Sequence, residues 1–275
     1  MRIRIISLIL LSILVMSCGG HGRPPIPGTV RTVAEPVEPK PAAKLEPRTE
    51  ENKQAINSEL SRTDDVIEYL GYSVSYNKDR KIPNWVSYEL LASETDGPYS
   101  RKGKNFRQDP SLSLPQAEDN DYRNSGWSRG HMAPAGDFKW SDDAMWDTFY
   151  FTNCCPQNQS LNAGQWSTLE KKVRDWANRF GSVTVVTGPL VWENSYGAIG
   201  YNNVVVPDAF FKAVLAGEQS IAFVMYNKSE NENMQKCAMS VDKLEELSGI
   251  DFFTELDDTL ENKVEATYNL RNWGL

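Results

Sequence analysis

Ser128 to Phe138 read SRGHMAPAGDF, and Arg129, Gly130 and His131 within it are the first residues of this 275-residue chain whose types suggest chemistry. Only two histidines exist, and His21 lies in a proline-rich N-terminal stretch. His131 is therefore the imidazole available to a folded body. With an ordinary pKa of about 6.5 it can take a proton near neutral pH. A histidine taken alone is more often a satisfied core residue, but its neighbours weigh against that here. Arg129 lies two residues before it, on the same face if the segment is extended. Ala133-Pro134-Ala135-Gly136 follows as a rigid turn that would hold the ring.

Three more polar residues stand at suggestive positions downstream: Asn162 in SLNAGQW, then Glu170 and Arg174 in WSTLEKKVRDWANRFG. Each also has an ordinary reading. Asn162 suits a turn, Ser167-x-x-Glu170 matches a capping box, and Arg174 could pair with Glu170 four residues away. The element that carries the last two is predicted with good reason to be a helix. Trp166, Leu169, Val173, Trp176 and Phe180 are spaced 3, 4, 3, 4 and lay one apolar stripe against a core, with Gly181 as the stop. Glu170 and Arg174 each sit one residue past a stripe position, along an edge that can line a cleft.

Strand patterns surround this helix. DVIEYLGYSVSYN and IPNWVSYELL, joined by the polar NKDRK, predict a hairpin with Tyr72, Val74 and Tyr76 alternating in one arm. FYFTN, SVTVVTGPLVW, NNVVVPDAFFKAVL and SIAFVMYN are further β-rich runs, and SVDKLEELSG is a short helix capped by Ser240 and ended by Gly249. The composition, 40% hydrophobic with eight tryptophans, allows a sizeable core. A net charge of −8 excludes a protein coated for polyanion binding, so any anion site is local. RKGKNFRQD, with Arg101, Lys102, Lys104 and Arg107 beside Phe106, is the one basic run that stands out, either a solvated loop or a substrate contact. Cys154, Cys155 and Cys237 have no metal-type spacing; one disulfide from Cys237 to either of the others is open.

The N-terminus reads MRIRIISLILLSILVMSCGG, two arginines and an apolar run from Ile5 to Met16 too short to span a membrane. It has the form of an export signal over residues 1–17. It resembles a bacterial lipoprotein signal, with Cys18 as the lipidated residue. Residues 18–62, rich in proline and free of aromatics, form a disordered tether, and residues 63–275 form the folded domain. The expected location is outside the cytoplasm, anchored to a membrane through lipid at Cys18, at the outer membrane, cell surface or periplasm.

The stretch SRGHMAPAGDFKWSDDAMWDTFYFTNCCPQNQSLNAGQWSTLEKKVR closely resembles the DNA/RNA non-specific endonuclease family. FRQDP, VTGP and VP.AFFK extend the match from about Tyr76 to beyond Leu215, and GIDFFTELDD near the C-terminus is similar to the family's ending. The resemblance implies an α+β, ββα-metal nuclease fold with a central, mostly antiparallel sheet flanked by helices. It implies metal-dependent endonucleolytic hydrolysis of DNA and RNA, with Mg2+ or Mn2+ as cofactor. His131 matches the general base, Asn162 the metal ligand, Glu170 the glutamate beside the metal, and Arg129 and Arg174 the phosphate-contacting arginines. Arg101, Lys104 and Arg107 are added as substrate contacts. Asn153, Pro156 and Gln157 match a family motif read here as scaffold. One position departs: the family's usual Asp-Arg-Gly-His is here Ser-Arg-Gly-His, with Ser128 first.

The chemistry is coherent without the resemblance. Phosphodiester hydrolysis needs a deprotonated water, a neutralised transition state and a stabilised leaving oxygen. His131 suits the first task, Mg2+ on the Asn162 oxygen the charge, and Glu170 the placing of a water nearby. Arginine forks match phosphate geometry. Two alternatives stand beside this reading: a surface lipoprotein that binds nucleic acid with impaired catalysis, and a phosphodiesterase for other substrates.

Overall fold

The computed structural model describes residues 66–231 and 233–275; the signal, Cys18 and the tether to residue 62 lie outside them. In chain order the strands are β1 (Val66–Glu68), β2 (Ser73–Asn77), β3 (Ile82–Leu91), β4 (Ser128–His131), β5 (Cys154–Gln157) and β6 (Ser182–Leu190). Then come β7 (Ala198–Ile199), β8 (Val204–Val205), β9 (Ala209–Ala216), β10 (Gln219–Tyr226) and β11 (Ala238–Met239). Seven of them form one sheet in the order β1-β2-β3-β6-β9-β10-β11, every pair antiparallel. β4 with β5 and β7 with β8 make two small antiparallel pairs beside it.

The α-helices are α1 (Asp119–Tyr122), α2 (Asp142–Asp147), α3 (Gln159–Leu161), α4 (Ser167–Phe180), α5 (Met234–Cys237), α6 (Val241–Ser248) and α7 (Asp258–Glu265). The class is α+β, a central antiparallel sheet flanked by helices. Strands β6 and β9 read as continuous apolar runs because both their faces are covered. Val183, Val185, Phe210 and Val214 join one buried cluster with Leu169, Val173 and Trp176 of α4. Val186, Phe211, Ala213 and Leu215 join another with Val241 and Leu244 of α6 and Val264 of α7. The second face is therefore built apart from the elements that carry His131 and Glu170.

The predicted hairpin is β2–β3, with Ser75 opposite Trp85 and Val74 opposite Val86. Its first arm is two strands, not one: the chain folds back at Leu70-Gly71 into β1. Gly71 is required there, because a Cβ would come within 2.5 Å of the Phe138 ring. α6 starts on Ser240, whose side chain accepts from the Lys243 N–H, and stops on Gly249 in the left-handed region at φ 69°. α4 buries Leu169, Val173 and Trp176 as the stripe predicts, and Gly181 ends it at φ 93°.

Two local expectations change. FYFTN is not a strand: Phe151–Asn153 is a 3-10 turn, and β5 begins only at Cys154. Asn153 explains the break, since its side chain replaces a ladder partner. Its Oδ1 accepts from the Ala133 N–H at 2.8 Å, and its Nδ2 donates to the Ala133 and Thr148 carbonyls at 2.9 Å. The capping box at Ser167 also does not form. Asn162–Trp166 is a π-turn that already runs into α4, so Ser167 is inside the helix. Cys154, Cys155 and Cys237 are buried, unbridged thiols.

Candidate active site

His131 ends β4 opposite Cys154. Its ring sits against Phe106, with centroids 4.5 Å apart, and edge-on to Phe149 at 5.0 Å. Only 8% of the residue is exposed, and Nε2 is buried with no hydrogen-bond partner. This burial, reinforced by the charge of Arg101, lowers its pKa to about 3. The imidazole is therefore neutral at any ordinary pH, with an open nitrogen, but the same burial makes it a weaker proton acceptor than the ordinary histidine the sequence suggested.

The flanking residues hold it there. A Cβ on Gly130 would lie 2.4 Å from Gln157 Oε1, so only glycine lets β4 pass this close to β5. Asn153 clamps the turn at Ala133, and its carbonyl accepts from the Met132 N–H. Asn153 and Gln157, read as scaffold in the sequence, take up scaffold positions. Ser128, the departure from the usual family residue, is hydrogen-bonded to Gln159 at the start of α3. It ties β4 to the short helix that leads into Asn162. Arg129 lies across the Tyr122 ring and pairs with Asp119 at 2.7 Å.

The π-turn and α4 carry the remaining candidate residues. Such turns relieve an inserted residue and recur at functional positions. Gly164 takes φ −102° and ψ −108°, outside helical values, so the chain kinks just after Asn162. Asn162 is partly exposed, and its side chain makes no hydrogen bond to the described residues. Glu170, two turns on, is partly buried and likewise forms no hydrogen bond or ion pair among them. Burial pushes its pKa up to about 7, against the pull of Lys212, while Asp137 adds to the rise.

Arg174 does not pair with Glu170. It reaches Asp137, fully buried in the turn after His131, at 2.5 Å. Tyr88 of β3 donates to the other Asp137 oxygen at 2.8 Å. Gly136 permits the approach, since a Cβ there would stand 3.0 Å from Arg174 Nη1. The pair thus bolts the His131 turn onto the helix that carries Glu170, and the Arg174 side chain keeps 20% exposure at the site.

The basic run divides. Arg101 is exposed, lies 5.6 Å over the Phe149 ring, and its charge acts on both His131 and Glu170. Lys104 is paired with Asp142 at 2.6 Å and lies over Trp146, and Arg107 stacks on Trp146 and Tyr150. Arg101 is thus near enough for its charge to act on His131 and Glu170, whereas Lys104 and Arg107 are engaged around Trp146.

Sequence reasoning missed Asp137, Tyr88 and Lys212. Lys212 of β9 is fully buried, its Nζ has no hydrogen-bond partner, and it lies 4.7 Å over the Trp166 ring. Burial lowers its pKa to about 8 against the favourable charges of Glu170 and Asp137. A signal existed: Lys212 is the one cation inside the apolar run from Val204 to Leu215. Asp137 carried none, because an acidic residue after a Pro-Gly turn normally faces solvent.

The family model for DNA/RNA non-specific endonucleases matches residues 51–259. This chain belongs to that family. It is 37% identical over 211 residues to the mitochondrial nuclease EXOG of Homo sapiens, covering 70% of this chain and 57% of that protein. It is 34% identical over 198 residues to mitochondrial endonuclease G of Homo sapiens, covering 66% of this chain and 67% of that protein. The chain thus spans less than two thirds of the EXOG relative's length. The crystal structure of the EndoG/EndoGI complex superposes with a TM-score of 0.67 at 29% identity, covering 74% of this chain and 91% of that chain. The family's ββα-metal architecture is visible in β4, β5 and α4, which carry the candidate site between them.

Proposed function

We propose that this family member is a metal-dependent endonuclease that hydrolyses phosphodiester bonds of DNA and RNA with little sequence specificity. The observation that carries the reading is a buried, unpartnered His131 Nε2 on β4 together with an Asn162 amide on the π-turn and a Glu170 carboxylate on α4 that bond to no described residue. A buried polar atom without a partner asks for an explanation, and for His131 Nε2 a substrate water supplies one.

The donors fit a hard divalent ion. Asn162 offers a free amide oxygen and Glu170 a free carboxylate, the oxygen set that suits Mg2+ or Mn2+. When bound, the ion supplies neutralisation of phosphate charge and of the leaving oxygen. His131 Nε2, neutral and unpartnered, accepts the proton of the attacking water. Glu170 accepts a hydrogen bond from water on the other side of the cleft and keeps it placed. Arg174, anchored on Asp137, and Arg101 present donors to phosphate oxygens, and Arg129 extends that surface toward α1. These groups recognise backbone charge and not base edges, which supports a broad substrate range.

The test is incubation of the full chain with plasmid DNA and with RNA, in Mg2+ and in EDTA, beside His131→Ala. Loss of cutting in EDTA and in the variant, with nucleic-acid binding retained by the variant, is expected. Cutting that survives either change overturns the proposal.

We also propose that the protein acts outside the cytoplasm on a lipid anchor at Cys18. The leader's charge, apolar run and Ser17-Cys18 exit support it, and two or more acyl chains give stable anchoring. Cys18→Ser should move the protein from the membrane to the soluble exported fraction; equal partitioning of both forms refutes the anchor.

A further inference from the structure

On the other face of the sheet, α6 and α7 bring Asp242, Glu245 and Glu265 together, with one carboxylate oxygen of each within 4.8 Å of the others. Asp242 lies in the first turn of α6 and Glu245 one turn later. Glu245 Oε1 accepts from the Phe252 N–H at 2.9 Å, which fixes that carboxylate. Glu265 is the last residue of α7, only 4% exposed, and its Oε1 is buried with no hydrogen-bond partner. Among the described residues none of the three forms an ion pair. The nearby lysines are engaged elsewhere, Lys243 with Glu246 and Lys263 with Glu218.

Several features of this arrangement are unfavourable as they stand. Glu261 and Glu265 are like charges four apart on one helix. Glu265 also lies at the negative end of that helix. Burial, then the charges of Glu245, Glu261, Asp242 and Asp251, push Glu265 up to about 9. Burial and neighbouring acids likewise push Glu245 up to about 7. A cluster like this is relieved by protons or by a cation.

We propose that Asp242, Glu245 and Glu265 bind a Ca2+ ion, a second metal site on the sheet face away from His131 and Asn162. Three carboxylates from two helices, which release their bound protons as the ion enters, with the exposed side of Asp242 open to water, match the 6–8 oxygen ligands Ca2+ takes. At about 2.3–2.6 Å per ligand, three oxygens spread evenly around Ca2+ stand about 4.0–4.5 Å apart, so donors within 4.8 Å of one another reach one ion with small side-chain adjustments. Mg2+, at about 2.1 Å and strictly octahedral, suits them less. The ion replaces repulsion between α6 and the end of α7 with a cross-link and fills the open valence of Glu265. With only three protein carboxylates, affinity should fall in the range of extracellular calcium modules, a Kd of about 0.1–1 mM.

The full chain carrying Asn162→Ala, which weakens metal binding at the other site, is titrated with CaCl2 by calorimetry and melted with and without about 10 mM Ca2+. One site with that affinity is expected, and Ca2+ should raise the folding equilibrium about 10–100-fold. Adding Glu265→Gln should remove both the heat and the Ca2+-dependent rise, while leaving the Ca2+-free melting temperature close to that of the parent, because glutamine keeps the size and shape of the side chain. If that variant does not fold, the exposed Asp242→Asn serves, with weakened calcium binding as its expected result. No binding heat up to 10 mM Ca2+, or an equal rise in parent and variant, overturns the site. Binding of protons only, with melting insensitive to Ca2+, does the same.

Discussion

Gly130→Ala puts a single carbon into the narrowest gap in the candidate site. That β-carbon would lie 2.4 Å from Gln157 Oε1, 2.7 Å from Gln157 Cβ and 2.9 Å from its Cδ. Comfortable carbon contacts begin at about 3.5 Å, so β4 and β5 must part by roughly 1 Å. Gln157 cannot swing clear, because it is fully buried in β5. Overpacking of this kind costs about 1–3 kcal/mol. For a domain of this size that is a fall in melting temperature of about 2–12 °C. His131 is the next residue, and a displacement of about 1 Å from a productive geometry lowers a rate about 100-fold. The expected result is a folded protein with turnover down about 100-fold and a KM changed less, since Arg101 and Arg174 lie off β4 and only Arg129 moves with it. Initial rates on plasmid DNA in saturating Mg2+, well below the melting temperature, read the first quantity. Thermal melts and fluorescence anisotropy with labelled DNA read the others. Wild-type turnover alongside a lowered melt would show that β4 position does not govern the chemistry, and the reasoning fails.

Asn162→Ala should lose activity at ordinary Mg2+ and recover part of it in excess Mg2+ or Mn2+, because metal occupancy falls while His131 remains; activity indifferent to raised metal rejects Asn162 as a ligand. Lys212→Met removes the buried positive charge that holds down the Glu170 pKa, so the acid limb of the pH–rate profile, set near pH 7, should move to higher pH. Its melting temperature should fall, since the buried charges of Glu170 and Asp137 lose the cation that balances them; an unmoved acid limb removes Lys212 from the site. His131 is neutral in the folded protein down to about pH 3, whereas an unfolded histidine takes a proton near pH 6.5. Between those values the unfolded state binds the extra proton, so this residue makes stability rise with pH and fall on acidification, by up to about 1.4 kcal/mol per pH unit. Denaturant titrations of His131→Phe across that window should show a flatter slope than wild type, and an identical slope refutes the buried neutral imidazole.

Much of the site was legible because its parts lie in short, local patterns. His131 could be singled out by elimination, and the stripe on α4 set which side of Glu170 and Arg174 faces the core. What the residues do to one another was less legible. Arg174 four residues from Glu170 invites a helical pair, yet it binds Asp137, brought there by a turn 37 residues earlier in the chain. Ser167-x-x-Glu170 has the letters of a capping box, but the π-turn at Asn162–Trp166 carries the helix past it. Lys104 and Arg107 belong to one basic run with Arg101, and only contact with Trp146 and Asp142 separates their roles.

The sequence by itself determined the class, the helix that lines the site, the glycine stops and the order of the chemical groups, because periodicity and punctuation act over a few residues. Only the tertiary structure decided protonation and pairing. The Phe106 and Phe149 rings dehydrate His131, the β6–β9 sheet sinks Lys212 beneath Glu170, and α6 meets α7 to crowd three carboxylates. These depend on the low dielectric and the close approach of segments far apart in the chain, and neither exists until the core has formed.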